Sequence, residues 1–223
     1  MGKITAGIRA AGAAAKGVFS GFYRRLRPFP GSEAYWIQRY DRGGDSGAGS
    51  HDELAEFKAE VVNAFVREEV IETVIEFGCG DGNQLRLAKY PSYIGYEIST
   101  RALELCRDTF RSDRTKIFRH MSEYAGETSQ LALSLDVIYH LVEDEVYSEY
   151  MKRLFDASER YVIIYSSDFD AAQNFHERRR KFTNWIDENR ANWKLIRHIP
   201  NRYPYNRQDG RGSLSEFFIY EKD

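Results

Sequence analysis

Apolar residues first recur at helical spacing at Leu54, Phe57, Val61, Ala64 and Phe65, which is the period of one buried helix face. Ser50 or Asp52 can cap that helix, so the pattern predicts it over about Asp52 to Arg67. The pattern then changes to Thr73-Val74-Ile75-Glu76-Phe77, rich in β-branched and aromatic residues and stopped by Gly78, which reads as a buried strand. A helix is expected from roughly Asn83 to Lys89, and a second strand over Ser92–Tyr96, ending at Glu97. A helix over Thr100–Arg111 and a short strand over Lys116–Phe118 follow. Leu131–Leu135 is almost wholly apolar, as expected for a strand covered on both faces. Asp144–Ala157 reads as a helix and Tyr161–Tyr165 as a fifth strand. This alternation predicts a mostly parallel sheet with helices on both faces. The end departs from it, since Trp193–His198 and Glu216–Tyr220 read as strands with no helix between them. Two strands joined without a crossover helix pair antiparallel.

Composition narrows the picture. The 223 residues, 42% hydrophobic and 30% charged, suffice for one domain with a substantial core. The expected division is a basic, Ala/Gly-rich extension over 1–30 and one α/β domain over 31–223, with 31–70 forming a lid and helix region. A net charge of −2 gives no whole-chain argument for nucleic-acid binding, and no such partner is expected. Cys79 and Cys106 make neither a disulfide framework nor a zinc pattern, which fits a reduced, cytoplasmic setting. Residues 1–27 carry Lys3, Arg9, Lys16, Arg24, Arg25 and Arg27 and no acid. They read either as a frayed extension or as a basic helix for the inner face of an anionic membrane or a protein partner. The oligomeric state is not legible.

The chemistry concentrates where the first strand ends. Glu76-Phe77-Gly78-Cys79-Gly80-Asp81-Gly82 places glycines at alternate positions, where a chain turns sharply or a ligand presses against backbone. Their spacing differs from the dinucleotide fingerprint G-x-G-x-x-G, and no phosphate-binding Lys-Ser/Thr pair follows. An acid two positions before the first glycine favours a cationic ligand. Glu97 closes the second strand, where a carboxylate can accept two hydrogen bonds from a ribose diol. Its alternative role is to cap the next helix.

The run Val74 to Leu85, then Gly95-Tyr96-Glu97-Ile98-Ser99, then Leu133-Ser134-Leu135-Asp136-Val137-Ile138-Tyr139-His140-Leu141 resembles class I S-adenosylmethionine-dependent methyltransferases. The resemblance covers about Ile71 to Tyr220. It implies a Rossmann-like seven-stranded, mostly parallel sheet with an antiparallel last strand. It further implies that Glu76, Gly78, Cys79, Gly80 and Gly82 line the methionine end, that Glu97 holds the ribose and that Ile98 packs against adenine. The family's acid after the third strand is replaced by Arg119-His120-Met121-Ser122, so the adenine contact is not placed.

Methyl transfer needs an acceptor held about 3 Å from the methyl carbon, exclusion of water and, for some acceptors, a proton acceptor. No metal is expected. His140 falls beyond the fourth strand, where a neutral imidazole suits a hydroxyl proton. It reads equally as a structural histidine. His176 is a second catalytic candidate. Asp136 either orients a histidine, holds the cofactor's ammonium or caps a helix. Tyr139, Arg179, Tyr203 and Tyr205 are candidate acceptor contacts, and the basic run Arg178–Lys181 could close over an anionic acceptor. Tyr35, Trp36, Arg39 and Tyr40 could form a lid in which Arg39 and Tyr40 meet the cofactor; alternatively, Tyr35 and Trp36 pack the first helix onto the domain. The expected activity is O-methylation of a small molecule or glycan. The alternatives are N-methylation of a small amine, and a cofactor-binding scaffold without catalysis.

Overall fold

The computed structural model describes residues 28–223. The expectations for the basic segment 1–27 lie outside the described residues. The helices are α1 (Ser32–Asp41), α2 (Asp52–Glu68), α3 (Thr100–Thr109), α4 (Asp144–Asp156) and α5 (Phe182–Asn189). The strands are β1 (Thr73–Phe77), β2 (Ser92–Glu97), β3 (Lys116–His120), β4 (Ser129–Leu135), β5 (Ser158–Ser166), β6 (Trp193–Ile199) and β7 (Glu216–Lys222). They form one sheet in the order β3-β2-β1-β4-β5-β7-β6. The first five are mutually parallel, and β7 runs against both β5 and β6. The expected antiparallel pair at the end of the chain is therefore present, and helices cover both faces.

Alternation along the strands divides the core into two layers. Val74 and Leu131 face one way and pack with Val62 and Phe65 of α2 and Leu103 and Cys106 of α3. Ile75 and Ala132 face the other way and pack with Tyr150, Met151 and Leu154 of α4 and Phe182 and Ile186 of α5. The strand order reverses at β1, which sits between β2 and β4. A crevice opens beyond strand carboxyl ends at such a switch point, and Phe77, Glu97 and Leu135 all end there.

Three local expectations change. The helix expected over Asn83–Lys89 is only a 3₁₀ turn at Gln84–Leu87. Residues 83–91 must return along β1, roughly 17 Å at about 3.3 Å per strand residue. Nine residues of α-helix reach only about 13 Å, so the tighter, longer-rise turn and extended chain replace it. Neither Ser50 nor Asp52 caps α2. His51 precedes it without a side-chain cap, and Asp52 has φ 47°. Finally, α1 was not legible as a periodic pattern because it buries little besides Ser32 and Tyr40.

Candidate active site

Above the ends of β1, β2 and β4 lies a cleft of about 460 Å³. The glycine loop forms its floor. Gly78 and Gly80 have φ 85° and 59°, a region that side chains disfavour. The loop is tied to β2 by the N–H groups of Gly78 and Cys79, which donate to the Tyr96 carbonyl at 2.7 and 3.2 Å. A Cβ on Gly80 would overlap Ser46 Oγ and sit 2.9 Å from Tyr40 Oη. Gly82 has a different task. It lies outside the cleft lining, and a Cβ there would come within 3.0 Å of both Cys106 and Phe110. Its bare backbone lets α3 approach the loop.

Two buried acids line the cleft. Glu76 is 6% exposed and accepts a 2.6 Å hydrogen bond from Tyr93 Oη. Burial pushes its pKa up to about 7, against the pull of that hydrogen bond and of Lys58. Glu97 accepts backbone N–H bonds from Gly80 at 3.0 Å, Ile98 at 2.8 Å and Ser99 at 3.0 Å. Burial outweighs these bonds and raises its pKa. The carboxylate thus clamps the glycine loop to β2 while facing the cleft.

Several cleft features escaped the sequence reading. Lys58 of α2, 1% exposed, donates to Asp136 Oδ2 at 2.8 Å. Asp136 has φ 59° and also receives Tyr139 Oη at 3.1 Å and Ser215 Oγ at 3.0 Å. Ser46 latches the Gly43–Ser50 loop to the glycine loop. Its N–H donates to Asp81 Oδ2 at 3.1 Å, its hydroxyl donates to Asp81 Oδ1 at 2.8 Å, and the Asp81 N–H donates back at 3.2 Å. Met121 supplies the wall after β3, beside Ile98, and His120 Nε2 sits 2.9 Å from the Ile98 carbonyl. The Ser134–Leu135–Asp136 strand end signalled Asp136, but nothing in the charge pattern of α2 marked Lys58 as buried.

His140 lines the cleft mouth with Trp36 and Leu141. Its pKa falls to about 3, first through burial and then through neighbouring His176. The ring is therefore neutral, as the sequence reading had it, and offers a lone pair while holding a proton weakly. His176 stands just outside the lining, its ring nearly parallel to that of His140 at 5.2 Å between centroids. The basic run is used as a brace. Arg178 and Arg180 donate to the Val142 carbonyl, Arg180 also to that of Leu141, and both pair with Asp144. Arg179 binds Glu177 at 2.9 Å and lies over the Tyr139 ring.

Besides Gly82, His176 and Arg179, four further candidates sit elsewhere than the cleft. Arg39 is held by the Asp45 side chain and carbonyl, so it stiffens the lid loop. Tyr139 is turned to Asp136. Tyr203 packs on Phe57 of α2, and Tyr205 is exposed in the late loop. Of the lid pair expected to meet the cofactor, only Tyr40 lines the cleft.

The profile of the methyltransferase domain family matches residues 47–207. No curated protein matches the sequence. Among solved structures, the fold is similar to magnesium protoporphyrin IX methyltransferase (ChlM) from Synechocystis PCC 6803 with bound SAM. That likeness has a TM-score of 0.61 and 14% identity, and covers 86% of this chain and 97% of that one. The methyltransferase domain of bacterial CtHen1 gives 0.59 and 19% identity, over 76% of this chain and 99% of that one. The small RNA methyltransferase HEN1 gives 0.56 and 16%, over 78% of this chain and 26% of that one. The last two overturn the expectation that nucleic acid is excluded as a partner. Among the described residues, no helix is long and apolar enough to cross a membrane.

Proposed function

Because the chain belongs to the methyltransferase domain family and S-adenosylmethionine is its cofactor, we propose that this cleft methylates a hydroxyl of a small or saccharide acceptor delivered beside Trp36 and His140. The observation that carries this reading is the continuity of the cleft from Glu76, Gly80 and Glu97 to His140. The cradle fits the cofactor: the backbone of Gly78 and Gly80 lines its floor, and both carboxylates face it from buried positions. Glu76 and Asp136 suit an α-ammonium, Lys58 an α-carboxylate, Glu97 a ribose diol, and Ile98 with Met121 an adenine ring. The bound cofactor supplies a methyl group made electrophilic by its sulfonium. His140 accepts the hydrogen bond of the acceptor hydroxyl and orients it, while Trp36 and the lid loop exclude water.

A second reading, favoured by the likeness to small RNA methyltransferases, is that the hydroxyl belongs to an RNA ribose. Labelled cofactor added to fractionated cell extract separates the two. Label that disappears from the large fraction on ribonuclease treatment supports RNA, and label that persists in a small or saccharide product supports the first. His140→Ala is expected to lower the rate at least about 100-fold for a hydroxyl acceptor with little change in S-adenosylhomocysteine affinity. An unchanged rate points to an amine acceptor instead.

Glu76 gives the binding step a pH dependence. A cationic ammonium requires the ionised carboxylate, so affinity for S-adenosylhomocysteine is expected to rise with pH up to about 7 and then level off. The slope approaches tenfold per unit below that point. The ligand-free fold changes in the opposite sense. A raised carboxyl pKa contributes stability below the ordinary value of 4.5 that is lost as pH rises through about 7. Calorimetric titrations between pH 5.5 and 8.5 check the first statement, and Glu76→Gln should flatten the profile. Tyr93, Lys58 and Glu97 are the neighbours that set this value.

A further inference from the structure

We propose that His140, His176 and Glu177 form a binding site for a divalent transition-metal cation at the mouth of the cleft. One ligand atom from each residue lies within 4.8 Å of the others, and all three side chains are partly buried. A single ion can therefore reach all three after small rotamer adjustments, at the roughly 2.0–2.2 Å bonds such ions make. The existence of the site rests on this geometry. Its role rests on the methyl-transfer reading above.

The arrangement is built rather than incidental. His140 comes from the turn after β4, and His176 and Glu177 come from the segment after β5. The two segments are joined by the Arg178 N–H, which donates to the Tyr139 carbonyl at 2.8 Å, and by the arginine contacts to Leu141 and Val142. A tight turn, bridged between Asn174 and Glu177, carries the second pair, with Phe175 at φ 45°. Each ligand has an outer support. His140 Nδ1 lies 3.3 Å from the His176 carbonyl, so a proton there leaves the Nε2 lone pair outward. Tyr35 stacks on the His176 ring at 4.5 Å, and Trp36 meets His140 edge-on at 4.8 Å. Arg179 holds Glu177 Oε2, while Oε1 lies 3.9 Å from His176 Nε2. Supports of this kind orient metal ligands.

The donor set chooses the ion. Two imidazoles and one carboxylate suit Mn²⁺, Fe²⁺ or Zn²⁺, whereas Ca²⁺ and Mg²⁺ ask for oxygen. Three protein ligands leave positions for water and an acceptor oxygen. The cation lowers the pKa of the acceptor hydroxyl, whose proton leaves to solvent. The O–C bond then forms as the S–C bond breaks, and the S–C electron pair stays on sulfur. With the ion bound, the His140 Nε2 lone pair goes to the metal, and the acceptor oxygen is held through the metal instead of by a hydrogen bond to that ring.

The test uses the full chain stripped with EDTA and titrated with Mn²⁺ alone, followed by electron paramagnetic resonance and calorimetry. One Mn²⁺ per chain is expected, with affinity at least tenfold weaker in both His176→Ala and Glu177→Gln. Two variants are used so that misfolding of one leaves the other informative, with circular dichroism as the check. S-Adenosylhomocysteine binding, measured on the same samples, should survive EDTA and both variants. Its loss from the wild-type chain would sink the methyltransferase reading. Absence of stoichiometric Mn²⁺ uptake, or uptake indifferent to both substitutions, overturns the metal site alone.

Discussion

Replacing Lys58 with methionine is expected to destabilise the ligand-free protein by about 3–5 kcal/mol, the usual cost of removing one partner from a buried ion pair. The ammonium is 1% exposed and lies 2.8 Å from Asp136. Methionine fills a similar volume, so packing on α2 changes little and the loss isolates the charge. Asp136 would keep its bonds from Tyr139 and Ser215 but would hold a negative charge without a counterion. Asp136→Asn in the same background should recover part of the loss, because asparagine tolerates the left-handed φ of 59° and carries no charge. Urea denaturation followed by circular dichroism reads both variants. A loss below about 1 kcal/mol for Lys58→Met would place the pair in the range of exposed ion pairs and remove it as a support of the site.

Glu97→Ala is expected to weaken S-adenosylhomocysteine binding by about 10²–10⁴-fold. Two ribose hydrogen bonds to a charged carboxylate contribute about 1.5–3 kcal/mol each. The loop clamp through Gly80, Ile98 and Ser99 is lost as well, so the fold should also soften locally. Glu97→Gln keeps the shape and one acceptor oxygen and should lie between the two. Isothermal calorimetry decides. Affinity in the alanine variant within threefold of wild type would rule out a ribose at this position.

The parts of the site legible in the sequence are those that depend on chain neighbours. Glu76, the glycines and Glu97 lie at the ends of adjacent parallel strands, and a strand signal followed by glycine or acid marks such an end without tertiary knowledge. The antiparallel pairing of β6 and β7 was legible for the same reason, since no crossover helix separates them. Lys58 was hidden because a lysine on an amphipathic helix reads as solvated. Only its meeting with Asp136, 78 positions later, shows otherwise. The brace made by Arg178 and Arg180 was hidden in the opposite way. A run of four basic residues suggested an anion site, yet the carbonyls of Leu141 and Val142 and the carboxylate of Asp144 engage two of them. Met121 was not singled out because the family's acid is absent from Arg119–Ser122 and the sequence left the adenine contact unplaced; the structure puts Met121 on the cleft wall. The failed helix after Gly82 is a matter of length, and counting residues against the span of β1 reveals it.

The bond set between Ser46 and Asp81 ties the roof of the cleft to its floor. Three hydrogen bonds hold that side of the cleft closed. Opening of this roof over residues 43–50 is expected to precede release of a nucleoside bound beneath it.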